Sequence, residues 1–223
     1  MYPIRINKYL RDKGLASRRE ADKLVAEGRV YINKKAAPMG AMVKEKDRVT
    51  ISKNVVRKHV YLAYYKPRGL ATQAIGDEES VINQWQNKGL FPVGRLDKES
   101  EGLLILTNDG RLTTKITGQD SKIEKEYIVK ITDRLKKSVA EIFKKGMTTK
   151  AFGQLLPAKA RVINRSTLSV VLREGKRHQI RVMLAELGYE IANLKRVRIG
   201  KISLGDLNPG ESRTIAEDDI LHI

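Results

Sequence analysis

Cysteine is absent from the 223 residues. A disulfide framework, a thiolate nucleophile and a cysteine-ligated zinc site are thereby excluded. Histidine is nearly as scarce: His59, His178 and His222 lie far apart in the chain, which speaks against a histidine-rich metal site. No apolar run approaches the ~18–20 residues needed to span a bilayer. The opening MYPIRINKYLRDKG is charged throughout and lacks the apolar stretch of a signal peptide, so the expected location is the cytoplasm, with no membrane partner. Nucleotide-cofactor and metal-ligand motifs are also missing, and neither a cofactor nor a metal is expected.

What is present is positive charge. Lys and Arg number 44 against 26 Asp and Glu, a net charge of +18 and a pI of about 10.0. Such a balance asks for a polyanionic partner, with nucleic acid ahead of an anionic membrane surface because no long amphipathic basic helix is evident. Hydrophobic residues at 41% and charged ones at 31% fit a folded chain long enough to bury a core. The excess is uneven: residues 1–60 hold 16 basic and 6 acidic side chains, a net +10. This asymmetry suits a nucleic-acid-binding module joined to a second unit.

Residues 1–52 read as a compact α/β unit. Ser17-Arg18-Arg19-Glu20 is a capping box, with Ser17 placed to accept the Glu20 N–H. Ala21, Leu24 and Val25 then form an apolar stripe that Gly28 ends. A shorter helix is expected over about 7–13, and short strands at 29–32 and 49–51 around an Asn33-Lys34-Lys35 turn. Polar and basic residues at 52–58 place a linker at 53–60. Residues 61–223 read as α+β. Strands are expected at 61–65, 103–107 and 126–131, and as a pair at 158–163 and 168–173. Helices are expected at 138–145 and 179–187, and Asn108-Asp109-Gly110 reads as a tight turn.

The most informative run is Gly94-Arg95-Leu96-Asp97-Lys98-Glu99-Ser100-Glu101-Gly102-Leu103-Leu104-Ile105-Leu106-Thr107-Asn108-Asp109-Gly110. It is a glycine-bounded loop of alternating charge feeding an apolar strand. Read from composition, its acids are solvated loop carboxylates paired with nearby lysines. Read as chemistry, one carboxylate sits at the bottom of a basic cleft as a nucleophile or base.

The run resembles the signature of the pseudouridine synthases, in particular the RsuA family that modifies ribosomal RNA. The resemblance implies that Asp97 is the catalytic aspartate. Lys125-Glu126-Tyr127 resembles the family's strand motif, which implies that Tyr127 stacks on the target uracil. Gly175-Lys176-Arg177-His178-Gln179-Ile180-Arg181 resembles the motif whose last arginine pairs with the aspartate, here Arg181, and Leu194-Lys195-Arg196-Val197-Arg198-Ile199-Gly200 resembles the basic strand that follows. His178 is assigned a substrate-contact or capping role, since nothing near it in sequence looks like an orienting partner. Arg95, Lys176, Arg177, His178, Arg196 and Arg198 are expected to meet RNA. The first unit is similar to the alpha-L RNA-binding motif, through Ile6-Asn7-Lys8-Tyr9-Leu10, Gly14, Ala16-Ser17-Arg18-Arg19-Glu20-Ala21, Gly28, Val30 and Ile32-Asn33. Arg5, Lys8, Arg11, Arg18, Arg19 and Lys34 can meet phosphates around its helix ends.

The fold so implied is an α/β RNA-binding domain at 1–52, a linker at 53–60, and a catalytic domain at 61–223 built on a mixed, mostly antiparallel sheet flanked by helices. The reaction implied is conversion of a flipped-out uridine to pseudouridine in ribosomal RNA, with transfer RNA as a further substrate class, by a monomeric enzyme. Leu96, Leu103 and the strand at 168–172 are expected to line the pocket. Two other readings remain. One is a non-catalytic RNA chaperone or assembly factor on the same fold. The other is a glycoside hydrolase using Asp97 with Glu99 or Glu101, which the basic charge and the aromatic content of 5% disfavour.

Overall fold

The computed structural model describes residues 2–52, 59–74, 78–118, 121–221 and 223. It divides into two compact units: Met1–His59 with Asp109–Lys115, and Val60–Asn108 with Ile116–Ile223. Most of the expected linker, residues 53–58, lies outside the described residues. Among those described, no helix is long and apolar enough to cross a membrane.

The first unit runs β1 (Ile4–Arg5), α1 (Ile6–Asp12), α2 (Arg18–Ala26), β2 (Val30–Ile32), β3 (Lys35–Ala36), β4 (Met42–Val43) and β5 (Val49–Ile51). Local chemistry sets these boundaries. The Ser17 hydroxyl accepts the Glu20 N–H at 3.3 Å and starts α2. Gly28 ends it at φ +66°, a left-handed turn open to glycine without steric penalty. Asn33 and Lys34 both take positive φ, at 50° and 70°, and link β2 to β3. Two consecutive left-handed residues are what a type I′ hairpin requires. Ile6, Leu10, Ala21, Val25, Val30 and Val43 close a small core.

The second unit begins with β6 (Tyr61–Lys66), α3 (Val81–Trp85), β7 (Phe91–Val93) and β8 (Glu101–Thr107). Then come α4 (Gly110–Thr117), whose first six residues belong to the first unit, β9 (Lys125–Ile131), α5 (Ser138–Lys145) and the short pair β10 (Thr148–Thr149) and β11 (Gly153–Gln154). It closes with β12 (Lys159–Asn164), β13 (Thr167–Leu172), α6 (Gln179–Glu186), β14 (Ile191–Ile199), β15 (Ile202–Ser203), β16 (Ser212–Thr214) and α7 (Glu217–Leu221). The main sheet has the order β12-β13-β9-β14-β8-β6-β16, with β7 also on β8 and β15 on β14. Of these pairs, β14 with β8 is parallel and the others are antiparallel. The fold is therefore α+β on a mixed, mostly antiparallel sheet. Its interior strand β8 is the apolar run read from the sequence: Leu103, Leu104, Ile105 and Leu106 are fully buried, as expected of a strand covered on both faces. Helices α5 and α6 contribute Val139, Phe143, Ile180, Met183 and Leu184 to the largest core, against Val129, Leu168 and Leu194 of the sheet.

One local expectation fails. Asn108-Asp109-Gly110 does not close a hairpin; Gly110 opens α4. The Asp109 carboxylate accepts the Arg111 backbone N–H at 3.0 Å and the Arg111 guanidinium at 2.8 Å. An acid at a helix start satisfies otherwise unpaired N–H groups. Leu112 and Ile116, four residues apart, then supply the apolar stripe and are buried.

The parallel pair of the main sheet depends on a glycine. Gly102 faces Arg196 across the β8–β14 register at φ +105°, and a Cβ there would lie 2.2 Å from the Arg196 carbonyl oxygen. Gly102→Ala should therefore destabilise the protein by at least about 3 kcal/mol, from backbone strain and the forced separation of two strands. Urea titration of the two proteins measures this, and a loss below about 1 kcal/mol would contradict the close approach.

Candidate active site

A cavity of about 660 Å³ lies wholly in the second unit, at the ends of β9 and β14, beside the loop from β7 to β8 and the segment that leads into α6. Asp97 is on that loop, and its carboxylate is about 30% exposed. Two side chains from the α6 end face it. His178 Nε2 is 3.4 Å from Asp97 Oδ1. Arg181 Nε is 3.8 Å from Oδ2, a charge contact longer than a hydrogen bond. The hydrogen bonds of Arg181 go elsewhere on the same loop, from Nη2 to the Glu99 carbonyl at 3.0 Å and to Ser100 Oγ at 2.9 Å. Arg181 thus fixes the backbone that carries Asp97 and sets its charge beside the carboxylate.

The loop is also pinned from its other side. The buried Thr72 hydroxyl donates to the Leu96 carbonyl at 2.7 Å and accepts the Leu96 N–H at 3.0 Å. One side chain thereby satisfies both backbone groups of the residue before Asp97. Below, Lys66 is fully buried, its ammonium donating to the carbonyls of Pro67 and Leu70 at 2.8 and 2.6 Å. Burial pushes its pKa down to about 8, while Asp97, Glu101 and Glu99 pull the other way.

Tyr127 lines the cavity from β9, with Arg196 its neighbour across the sheet. Arg196 is 6% exposed. Its Nε donates to the Leu103 carbonyl at 2.7 Å and its Nη1 reaches the Arg95 carbonyl at 3.4 Å. Leu96, Leu172, Ile180 and Leu194 supply apolar wall. Leu103, expected there, lies in the sheet interior instead, because β8 is covered on both faces.

The structure brings Asp97, Tyr127, Arg95, Lys176, Arg177, His178 and Arg196 to one cavity, and sets Arg181 behind its lining, against Asp97 and the Glu99–Ser100 segment. It draws Arg198 into an internal network, where Glu126 is at 2.9 Å, the Gly200 carbonyl at 2.7 Å and Glu124 at 3.5 Å. His178 is the residue before α6 but makes no side-chain cap. Its φ of +58° is unusual for a residue other than glycine, and its imidazole turns to Asp97, the partner that sequence proximity could not supply. In the first unit, Arg5, Lys8, Arg18, Arg19 and Lys34 are exposed. Arg11 pairs with the adjacent Asp12 at 2.8 Å. Thr72 and Lys66 escaped the reading of the sequence. A threonine and a lysine outside any charged motif carry no local signal of a clamp.

Two consequences are measurable. Thr72→Val leaves a buried N–H and a buried C=O unpaired and should lower stability by about 1–3 kcal/mol, whereas Thr72→Ser should stay near the parent; equal denaturation midpoints for Thr72→Val and the parent would refute the clamp. For Lys66, the unfolded chain binds a proton between about pH 8 and 10.5 that the folded chain has released. Raising pH through that window therefore stabilises the fold, and below about pH 8 the gain is absent. Relative to Lys66→Met, the parent should gain on the order of 2–3 kcal/mol from pH 8 to 10.5, and a pH-independent difference in urea titrations would count against it.

Comparison with known proteins finds matches over two stretches of the chain. Residues 60–186 match the family model described as RNA pseudouridylate synthase, and residues 4–49 match the S4 domain. The dual-specificity RNA pseudouridine synthase RluF of Escherichia coli (strain K12) is 34% identical over 99% of this chain and 78% of its own. The ribosomal large subunit pseudouridine synthase B of Bacillus subtilis (strain 168) is 30% identical over 97% of this chain and 93% of its own. Among solved structures, a pseudouridylate synthase superimposes with a TM-score of 0.74 at 24% identity, covering 98% of this chain and 99% of that one, a likeness of fold. With one family model spanning more than half of the chain and relatives 30% and 34% identical over nearly all of it, the chain belongs to the RNA pseudouridine synthases of RsuA type, isomerases that carry an N-terminal S4 domain.

Proposed function

We propose that the cavity converts a flipped-out uridine of ribosomal RNA to pseudouridine, with Asp97 as the essential carboxylate, Tyr127 as the face that stacks the base and Arg181 as the group that aims Asp97. The observation that carries the reading is the meeting of Asp97 with Arg181 at 3.8 Å and His178 at 3.4 Å, in a cavity that Asp97, His178 and Tyr127 line together. The ribosomal assignment rests on relatives such as the B. subtilis large-subunit enzyme; transfer RNA remains a second substrate class.

The isomerisation breaks the bond from ribose C1′ to uracil N1, turns the base, and bonds C1′ to C5. It is redox-neutral, and the one group it demands is a carboxylate that either adds to the nucleoside or takes a sugar proton. Extruding the uridine from its stack costs a few kcal/mol, and a tyrosine face returns about 1–3 kcal/mol by stacking. The Thr72 and Arg181 contacts hold the Asp97 loop before substrate arrives, so that little reorganisation is left for the reaction itself. The exposed cations Arg5, Lys8, Arg18, Arg19 and Lys34 of the S4 unit, with Arg95, Lys176, Arg177 and His178 at the cavity, supply the phosphate contacts. We place the enzyme in the cytoplasm as a monomer, because the RNA itself provides the partner surface.

Tritium release from RNA labelled at uracil C5 tests the reading, since only replacement at C5 frees the label. The parent should release tritium. Asp97→Asn should lose activity by at least about 10³-fold while binding the same RNA with unchanged affinity and salt dependence. Full activity of that variant, or no release by the parent on ribosomal RNA lacking the modification, would end it.

A further inference from the structure

Two cations of the cavity have no role in the scheme above. Lys125 and Tyr127 stand two residues apart on β9 and so share a face. Arg196 lies directly across from Tyr127 on β14, which puts its side chain on that face as well. All three line the cavity. Lys125 is 8% exposed and Arg196 6%. Arg196 spends Nε and Nη1 on the Leu103 and Arg95 carbonyls, and its Nη2 is buried with no hydrogen-bond partner. Among the described residues Lys125 has none either, and burial together with the adjacent Arg196 guanidinium holds its ammonium below the ordinary lysine range, with no carboxylate opposing them. The acids of the cavity are already engaged: Asp97 with His178 and Arg181, Glu174 with Gln179 and the Leu156 N–H. Two like charges, desolvated and side by side, with an unpaired donor, are unfavourable unless something anionic joins them.

We propose that Lys125 and Arg196 form a cationic floor that receives the uracil anion during the isomerisation. The inference rests on the pseudouridine synthase reading and deepens it. When the C1′–N1 bond breaks, its electron pair leaves with the base. The sugar is satisfied either by a new bond from an Asp97 oxygen to C1′ or by loss of its C2′ proton to Asp97. By either route the base carries one negative charge spread over N1, O2 and O4. A base stacked on Tyr127 presents its edge to the neighbouring Lys125 and Arg196. The floor then stabilises a charge that is absent from the bound substrate, the condition for lowering the barrier instead of only tightening binding. It also holds the detached base while it turns, until C5 bonds to C1′ as the Asp97 oxygen leaves that carbon or Asp97 returns the C2′ proton, and the C5 proton departs while N1 takes one up.

Leaving-group chemistry gives the test. Single-turnover loss of the target nucleoside is followed on RNA carrying uridine, and on the same RNA carrying 5-fluorouridine, whose electron-withdrawing fluorine makes the base anion intrinsically more stable. Lys125→Met should slow the uridine substrate by about 10²–10³-fold, slow the 5-fluorouridine substrate by roughly tenfold less, and leave RNA affinity unchanged. Arg196→Lys should behave alike if it folds; should loss of its carbonyl contacts unfold it, Lys125→Met alone decides. Equal slowing of both substrates, a loss accounted for by weaker RNA binding, or a parent-like rate would each overturn the floor. A parent protein that forms no pseudouridine would instead sink the reading beneath it.

Discussion

The site is organised around the missing Cβ at position 102. Because Gly102 brings no side chain, the β8 backbone approaches β14 in the sheet's one parallel register. That approach carries Arg196 beneath the loop bearing Asp97, where its guanidinium meets the Leu103 and Arg95 carbonyls. The same strand edge places Ser100 and the Glu99 carbonyl within reach of Arg181. A loop of alternating charge, which in isolation would be mobile and solvated, is thus tied at Arg95, Leu96, Glu99 and Ser100. Between these ties stands Asp97, whose carboxylate faces His178 and Arg181.

Charge is sorted in the same economical way. The chain is strongly basic, yet the sheet edge by β12 is neutralised by a local network in which Glu124 meets Lys159, Arg173 and Arg198 and Glu126 meets Arg198. Lys66 is buried against backbone carbonyls. Other cations are left facing solvent, among them those of the S4 surface and of the cavity. A long basic strand such as β14 divides its arginines between these fates according to which side of the bulge between Arg196 and Arg198 each one stands.

Much of the fold was legible because its signals are local. The Ser17 cap, the 138–145 helix and the apolar β8 run each depend on residues within one or two turns of one another. Asn108-Asp109-Gly110 misled for the same reason in reverse: its turn chemistry is real, but the following Leu112 and Ile116 decide that a helix and not a strand comes next. The resemblance to a known family pointed to Asp97, Tyr127 and Arg181. It did not point to Thr72, whose partner is 24 residues away, or to His178 as a neighbour of Asp97. Nor could sequence separate Arg196 from Arg198, since spacing alone does not reveal a strand bulge.

The insertion of β14 between β8 and β9 has a consequence for biosynthesis. The contacts that complete the cavity join residues about a hundred positions apart, such as Arg196 with Leu103 and Arg95. Those of the S4 unit from Ile4 to Ile51 close within the first quarter of the chain. Long-range pairing is slow to form, and domains near the N-terminus fold first during translation. A ribosome making this protein thus exposes the S4 segment well before the cavity exists, and a nascent chain that has not reached residues 191–199 lacks the strand that joins β8 to β9.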